Sequence, residues 1–159
     1  MRRFLISTAS VAALALAAAG CAPDPLLGTY AYTGTIATML TQPVTSNTSD
    51  TTMGTAIVTA SGGGYSVDFA ATSSTQHCVL AATANGGSGM TFTAGQTCSF
   101  SGTYNGSPYM YTATITSGNG LLNGTSMMFT VNYSLAGNSG AIALVGTGTQ
   151  ALTGTRGSN

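Results

Sequence analysis

The chain has 159 residues, and Thr (28), Ser (17) and Gly (22) supply 67 of them, while Lys, Glu and Trp are absent. With three arginines it has no electrostatic footprint for nucleic acid. With three aspartates and one histidine it has almost no general acid or base chemistry to deploy, so the composition argues against an enzyme.

The first element is an address. Arg2 and Arg3 precede a charge-free run, rich in Leu and Ala, over residues 4–19, which ends in Ala18-Ala19-Gly20-Cys21. A basic start, a short apolar stretch and small residues before a cleavage point predict a signal-peptide helix over residues 1–20. The run is short of the ~20 apolar residues that a membrane-spanning helix needs. Ala18-Ala19-Gly20-Cys21 resembles the lipobox of bacterial lipoproteins, although Ala18 stands where that family most often has Leu. The resemblance covers residues 1–21 only. It implies that Cys21 receives a diacylglycerol, that the peptide is cut before it, and that the new amine is acylated. An ordinary signal peptide cut near Cys21 would instead leave a thiol there.

Two or three acyl chains suffice for stable anchoring, where one chain binds only marginally. In that family Asp directly after the Cys commonly retains the protein at the inner membrane; Ala22 stands there instead, which implies the outer membrane in a host with two membranes. Residues 21–27 read as the lipidated Cys and a tether stiffened by Pro23 and Pro25.

Residues 28–155 read as one β domain. Hydrophobicity alternates with period two nearly throughout, and the β-branched and aromatic content is high. Tyr30, Tyr32, Ile36 and Leu40 open the series. Further runs follow around residues 53–58, 65–70, 78–83, 90–93, 98–104, 109–116, 127–135 and 142–149. Between them lie turn clusters at 43–50, 61–64, 85–89, 105–108, 117–120 and 137–140. Asn105-Gly106 and Asn119-Gly120 are the clearest hairpin signals, because both residue types tolerate positive φ. No helical pattern follows the signal peptide. The expected fold is an all-β antiparallel meander of about eight or nine strands, closing as a small barrel or a barrel-like sandwich.

In an oxidising compartment Cys78 and Cys98 read as a disulfide. In a plain meander a strand near residues 90–93 separates them, and two strand spacings (about 9.6 Å) exceed the ~7 Å limit between bridged Cα atoms. That strand must therefore be short, with the cysteines meeting beyond its end, and Gly95 suits an early stop. A metal site built on His77, Cys78 and Cys98 lacks an evident fourth ligand, and neighbouring strand residues face opposite ways.

No nucleophile elbow or phosphate loop is present. Asp68 is expected to face solvent, with His77 in a loop. Tyr30, Tyr32, Tyr65, Tyr104, Tyr109, Tyr111 and Tyr133 share the apolar parity of their strands, so they either fill the core or line an amphipathic cavity. No catalytic, metal-binding or cofactor-binding residues are expected.

The leading expectation is an exported, lipid-anchored cell-envelope protein. Its β domain is a non-catalytic structural or interaction module, bound to the membrane through the lipid and presented to an unspecified protein partner. The alternative is a lipocalin-like carrier holding a small apolar ligand inside the barrel. A transmembrane barrel, with its apolar residues facing lipid, fits less well because several runs are too short.

Overall fold

The computed structural model describes residues 24–72, 77–104 and 107–157, apart from the side chains of Tyr104 and Ser107. The signal segment and Cys21 lie outside the described residues. Nine strands follow in chain order: β1 (Gly28–Gln42), β2 (Ser46–Ser61), β3 (Gly64–Ala71), β4 (His77–Ala84), β5 (Gly89–Phe92), β6 (Thr97–Tyr104), β7 (Ser107–Asn123), β8 (Ser126–Ser139) and β9 (Ile142–Arg156).

All nine belong to one antiparallel sheet, in the order β5-β4-β3-β2-β1-β9-β8-β7-β6, and β5 also pairs with β7. The hydrogen bonds therefore run round in a ring, and the sheet is barrel-like, as the meander pattern predicts. β5 and β6 lie end to end along one edge of β7. Residues 89–91 face 121–119, and residues 97–104 face 114–107. The nine strands thus make eight staves. Closure matters for this sequence, because a chain without Lys has few means of guarding an exposed strand edge.

The cysteines meet as geometry demands. β5 has only four residues, and the chain turns at Gly95 with φ of 82°. There the side chain of Gln96 acts as a substitute backbone for β4. Its Oε1 accepts from the Ala81 amide at 2.6 Å, and its Nε2 donates to the Ala81 carbonyl at 2.9 Å. Beyond that point Cys78 and Cys98 form a disulfide with Cα atoms 5.5 Å apart. No strand intervenes, because β5 has ended before β6 begins.

Three expected turns are corrected. Residues 117–120 are not a hairpin but the middle of β7, which runs to Asn123 and turns at Gly124 (φ 63°). The glycines there serve packing. A Cβ on Gly120 would sit 2.9 Å from the Met90 side chain, and one on Gly118 would sit 2.9 Å from the Phe92 ring. Glycine inside a strand often marks such a close approach. Residues 46–50 are strand rather than loop, because they pair with residues 36–40 of β1. β8 likewise continues to Ser139 before turning at Gly140.

The inward parity carries the core. Tyr30, Val58, Val67, Leu80, Met90, Met127 and Phe129 are almost wholly buried. Phe69 on β3 and Phe129 on β8 stand four staves apart, on opposite walls of the ring, yet their rings meet edge to face at 5.2 Å. Tyr32 and Phe92 pack on Phe69 at 6.2 and 6.0 Å. Side chains therefore fill the closed part, as the geometry of an eight-stave barrel allows. The outward parity carries Thr33, Thr35, Thr55, Thr149 and Thr153, with scattered Met and Ala and a few exposed aliphatics such as Ile57, Val79 and Leu121. An apolar interior under a hydroxyl-rich exterior is the reverse of a transmembrane barrel.

Large and small residues alternate around the ring. Tyr32 pairs with Gly54 and Gly154, Phe129 with Gly120, Tyr133 with Gly148, Tyr111 with Gly137, and Tyr109 with Gly102. At Gly148 and Gly102 the facing rings of Tyr133 and Tyr109 occupy the space that a side chain would need. At Gly137 the obstruction is backbone, with the Tyr111 Cα 2.5 Å from where a Cβ would stand. At Gly87, in the β4–β5 turn, nothing lies within 4 Å. Gly137→Ala is therefore expected to destabilise the fold by about 1–3 kcal/mol through overpacking. Gly87→Ala should stay within about 0.5 kcal/mol of the parent, and urea unfolding monitored by tyrosine fluorescence measures both.

Candidate functional site

The molecule has two unlike ends. At the base lie the start of β1, the turns at residues 61–64, 84–89 and 123–126, and the end of β9. At the other end β3 and β4 stop early, while β1, β2, β6, β7, β8 and β9 continue. The ring is closed over its lower part and opens above into a six-strand trough.

The base is where the residues read as a tether prove to be structure. Leu26 is 1% exposed and inserts into the core, so the packed domain begins before residue 28. Asp24 turns the chain: its Oδ1 accepts from the Leu26 amide at 2.9 Å, and its Oδ2 accepts from the Tyr65 hydroxyl at 2.7 Å. That bond to Asp24 is the main reason the Tyr65 hydroxyl holds its proton above the ordinary tyrosine range, with burial adding to it.

Arg156 completes the clamp. Its Nη2 donates to the carbonyls of Pro25 and Leu27 (2.9 Å to the latter) and to the Tyr30 hydroxyl at 2.7 Å. The Tyr30 hydroxyl in turn donates to the Leu26 carbonyl at 3.0 Å. The guanidinium also lies over the Tyr30 ring, 5.3 Å from its centroid, where a cation–π attraction adds to the bonds. Arginine suits this task because its planar fork spreads several donors over separate acceptors. Nothing in the period-two pattern points to Arg156. The available signal is its isolation, as the one cation after residue 3.

The trough holds the second cluster. Tyr109, Tyr111, Tyr133 and Phe100 face inward there, each half-buried. Phe100 stacks on Tyr111 at 5.1 Å, and Tyr109 stacks on Tyr111 at 5.9 Å. Burial pushes the Tyr111 hydroxyl up to about 12, with the neighbouring Tyr109 and Tyr133 hydroxyls adding to the effect. Burial also raises Tyr133, and a hydrogen bond to Thr38 works against it. Tyr32, below them, is raised by burial and lowered by a hydrogen bond to Thr52.

The seven tyrosines therefore divide. Tyr30, Tyr32 and Tyr65 are packed in the closed core, at most 8% exposed, and do not line a chamber. Tyr109, Tyr111 and Tyr133 line the open trough. The Tyr104 side chain lies outside the described residues. Solvent-open depressions lie near both clusters. One, of about 400 Å3, touches Thr38, Asn132, Tyr133 and Gly148, and one, of about 380 Å3, lies at the base beside Asp24, Gly63 and Tyr65.

His77 is corrected from loop to strand. It opens β4, and its Nδ1 lies 3.0 Å from Asp68 Oδ1 on the outer wall, with His77 exposed and Asp68 partly so. Asp68 pairs with Val79 and His77 with Ala70, so the two are diagonal neighbours across the β3–β4 ladder. An exposed pair of this kind contributes little to stability. Among the described residues no group of three His, Cys, Asp or Glu side chains could hold a metal ion.

No protein-family model matches the chain, and no curated protein matches it. A solved structure that resembles it is that of a protein of unknown function from the DUF3598 family of Nostoc punctiforme. The two are 12% identical with a TM-score of 0.35, over 83% of this chain and 48% of that one. The chain thus spans about half the length of that protein, and the similarity is too distant to bear on function.

The raised tyrosines set the alkaline behaviour. Unfolded tyrosine loses its proton near pH 10, whereas Tyr111 in the folded chain holds its proton to about 12. Between these values the unfolded state binds fewer protons than the folded one, so stability is intact below about pH 10 and falls as pH rises toward 12. The thermal midpoint should be nearly level from pH 7 to 9 and drop above 10. Tyr111→Phe should flatten the drop. Absorbance at tyrosinate wavelengths should show a late-titrating fraction that this variant reduces.

Proposed function

We propose that this protein is a bacterial lipoprotein, exported, cut before Cys21, acylated on that residue and held at the outer membrane. Its β domain serves there as a non-catalytic structural or interaction module. The observation that carries this reading is the sequence from Arg2 to Cys21: a basic start, a short apolar run, small residues and then cysteine. Asp24, three residues after Cys21, is already held to the domain through its bond to Tyr65. The Cys78–Cys98 disulfide suits an oxidising compartment. The non-catalytic part of the reading rests on how little titratable chemistry the chain owns. Its one histidine is engaged with Asp68 on the exposed outer wall.

A carrier with its ligand inside the ring finds less support, because the opposed rings of Phe69 and Phe129 occupy the closed part. A ligand would have to lie in the trough, against Tyr109, Tyr111 and Tyr133.

The test is fractionation after expression of the whole chain in a bacterial host. The parent should sediment with the membranes, enter the detergent phase and incorporate labelled palmitate. Cys21→Ser should lose the label and move to the soluble extracytoplasmic fraction. Retention of Cys21→Ser in the membrane, or a parent without label, would overturn the lipid anchor.

A further inference from the structure

We infer that the base of the barrel, formed by the turns at residues 61–64, 84–89 and 123–126, is the surface that lies on the lipid bilayer. The tyrosine-lined trough then points away from the membrane. The inference rests on the lipoprotein reading and adds to it an interaction surface and an orientation.

Reach is the first argument. From Cys21 to Asp24 the chain has three residues, and an extended chain covers at most about 3.3–3.6 Å per residue, hence about 10 Å. The diacylglycerol must sit with its tails in the hydrocarbon. The headgroup layer on one side of a bilayer is about 5–7 Å thick, given a ~30 Å core within ~40–45 Å overall. Crossing that layer uses more than half of the reach, so Asp24 lies within a few ångströms of the headgroups.

The second argument is the clamp, which denies the chain further slack. Asp24 is held by Tyr65, and the carbonyls of Pro25 and Leu27 are held by Arg156. Leu26 is buried in the core. Paying out more tether would require pulling Leu26 from the core and breaking the Arg156 bonds together. Asp24, Tyr65 and Arg156 all belong to the base, so the chain enters the domain there.

The chemistry of the base is the third. Its three turns are short, rich in Gly, Ser and Asn, and contain no ionisable side chain. Asp24 is taken up by Tyr65, and Arg156 is spent on internal carbonyls. The other carboxylates stand elsewhere: Asp68 on the outer wall, and Asp50 far up β2, opposite Ile36. A bilayer with anionic headgroups repels carboxylates, and at the end nearest the anchor the one side-chain carboxylate among the described residues, Asp24, is accompanied by the one cation, Arg156. β1 has 15 residues, which at ~3.3 Å per residue and a tilt of ~40° places the trough rim roughly 40 Å from the base.

The experiment uses the full lipidated chain, purified in detergent and reconstituted into phosphatidylethanolamine–phosphatidylglycerol vesicles containing a nitroxide-headgroup lipid. Gly87→Cys places a fluorescent maleimide on the base, and Ala141→Cys places it on the rim. Both sites are exposed, and Gly87 has space around it. The base label should be quenched several-fold more than the rim label. A long Gly-Ser insert between Pro23 and Asp24 should remove that difference while the protein still floats with the vesicles. Equal quenching of the two labels, or stronger quenching at the rim, would overturn the orientation and leave the anchor intact. A persistent difference after the insert would still support the orientation and overturn reach as its cause. Failure of the parent to float with vesicles would overturn the lipoprotein reading, and this inference with it.

Discussion

Everything in this structure depends on closing one sheet into a ring. The closing ladder is short, with residues 89–91 of β5 facing 121–119 of β7. It holds because the parts around it are fitted to each other. Gly118 and Gly120 let β7 come close to Phe92 and Met90. Gln96 continues the β4 pairing with its side-chain amide, and the Cys78–Cys98 bond ties the next turn of backbone. A twisted sheet of this many strands would otherwise leave long edges, which a chain without Lys has few means of guarding, and closure confines them to the trough. Closure also decides what the interior can hold. With eight staves, rings from opposite walls touch, and the lower part is a packed core.

Much of this is legible in the residues. Alternation locates all nine strands, because one face of each is buried and the period is therefore enforced. The demand that Cys78 and Cys98 meet implies a very short strand between them in sequence, and β5 has four residues. What the pattern hides follows from the double meaning of glycine. Asn119-Gly120 has the composition of a hairpin, yet Gly120 is a socket for Met90 and Phe129. Residues 46–50 look like a loop because Ser, Asn and Asp favour turns. Pairing with β1 overrides that local preference. The end-to-end arrangement of β5 and β6 along one strand is likewise invisible to a periodicity argument, which counts runs and not neighbours.

The candidate sites were less legible. Parity alone puts seven tyrosines on the inner face and cannot say at what height each sits. The structure sorts those it describes by height, with Tyr30, Tyr32 and Tyr65 in the closed part and Tyr109, Tyr111 and Tyr133 where β3 and β4 have ended. The base clamp leaves no mark on the sequence pattern, because its members are far apart in the chain. Asp24 meets Tyr65 across 41 residues, and Arg156 meets Leu27 across 129. In a chain this poor in charge, each charged residue is worth placing individually, and two of the four that follow Cys21 serve to fix the start of the domain.

The central claim is that the chain is processed and lipidated at Cys21, which sets where this ring sits and which end faces outward. Intact-mass spectrometry of the protein extracted from host membranes tests it most directly. The account predicts a chain beginning at Cys21, carrying the added mass of a diacylglycerol with or without a further acyl group, and lighter by two hydrogens for the disulfide. A mature chain that begins elsewhere, or that begins at Cys21 with no added lipid mass, would contradict it.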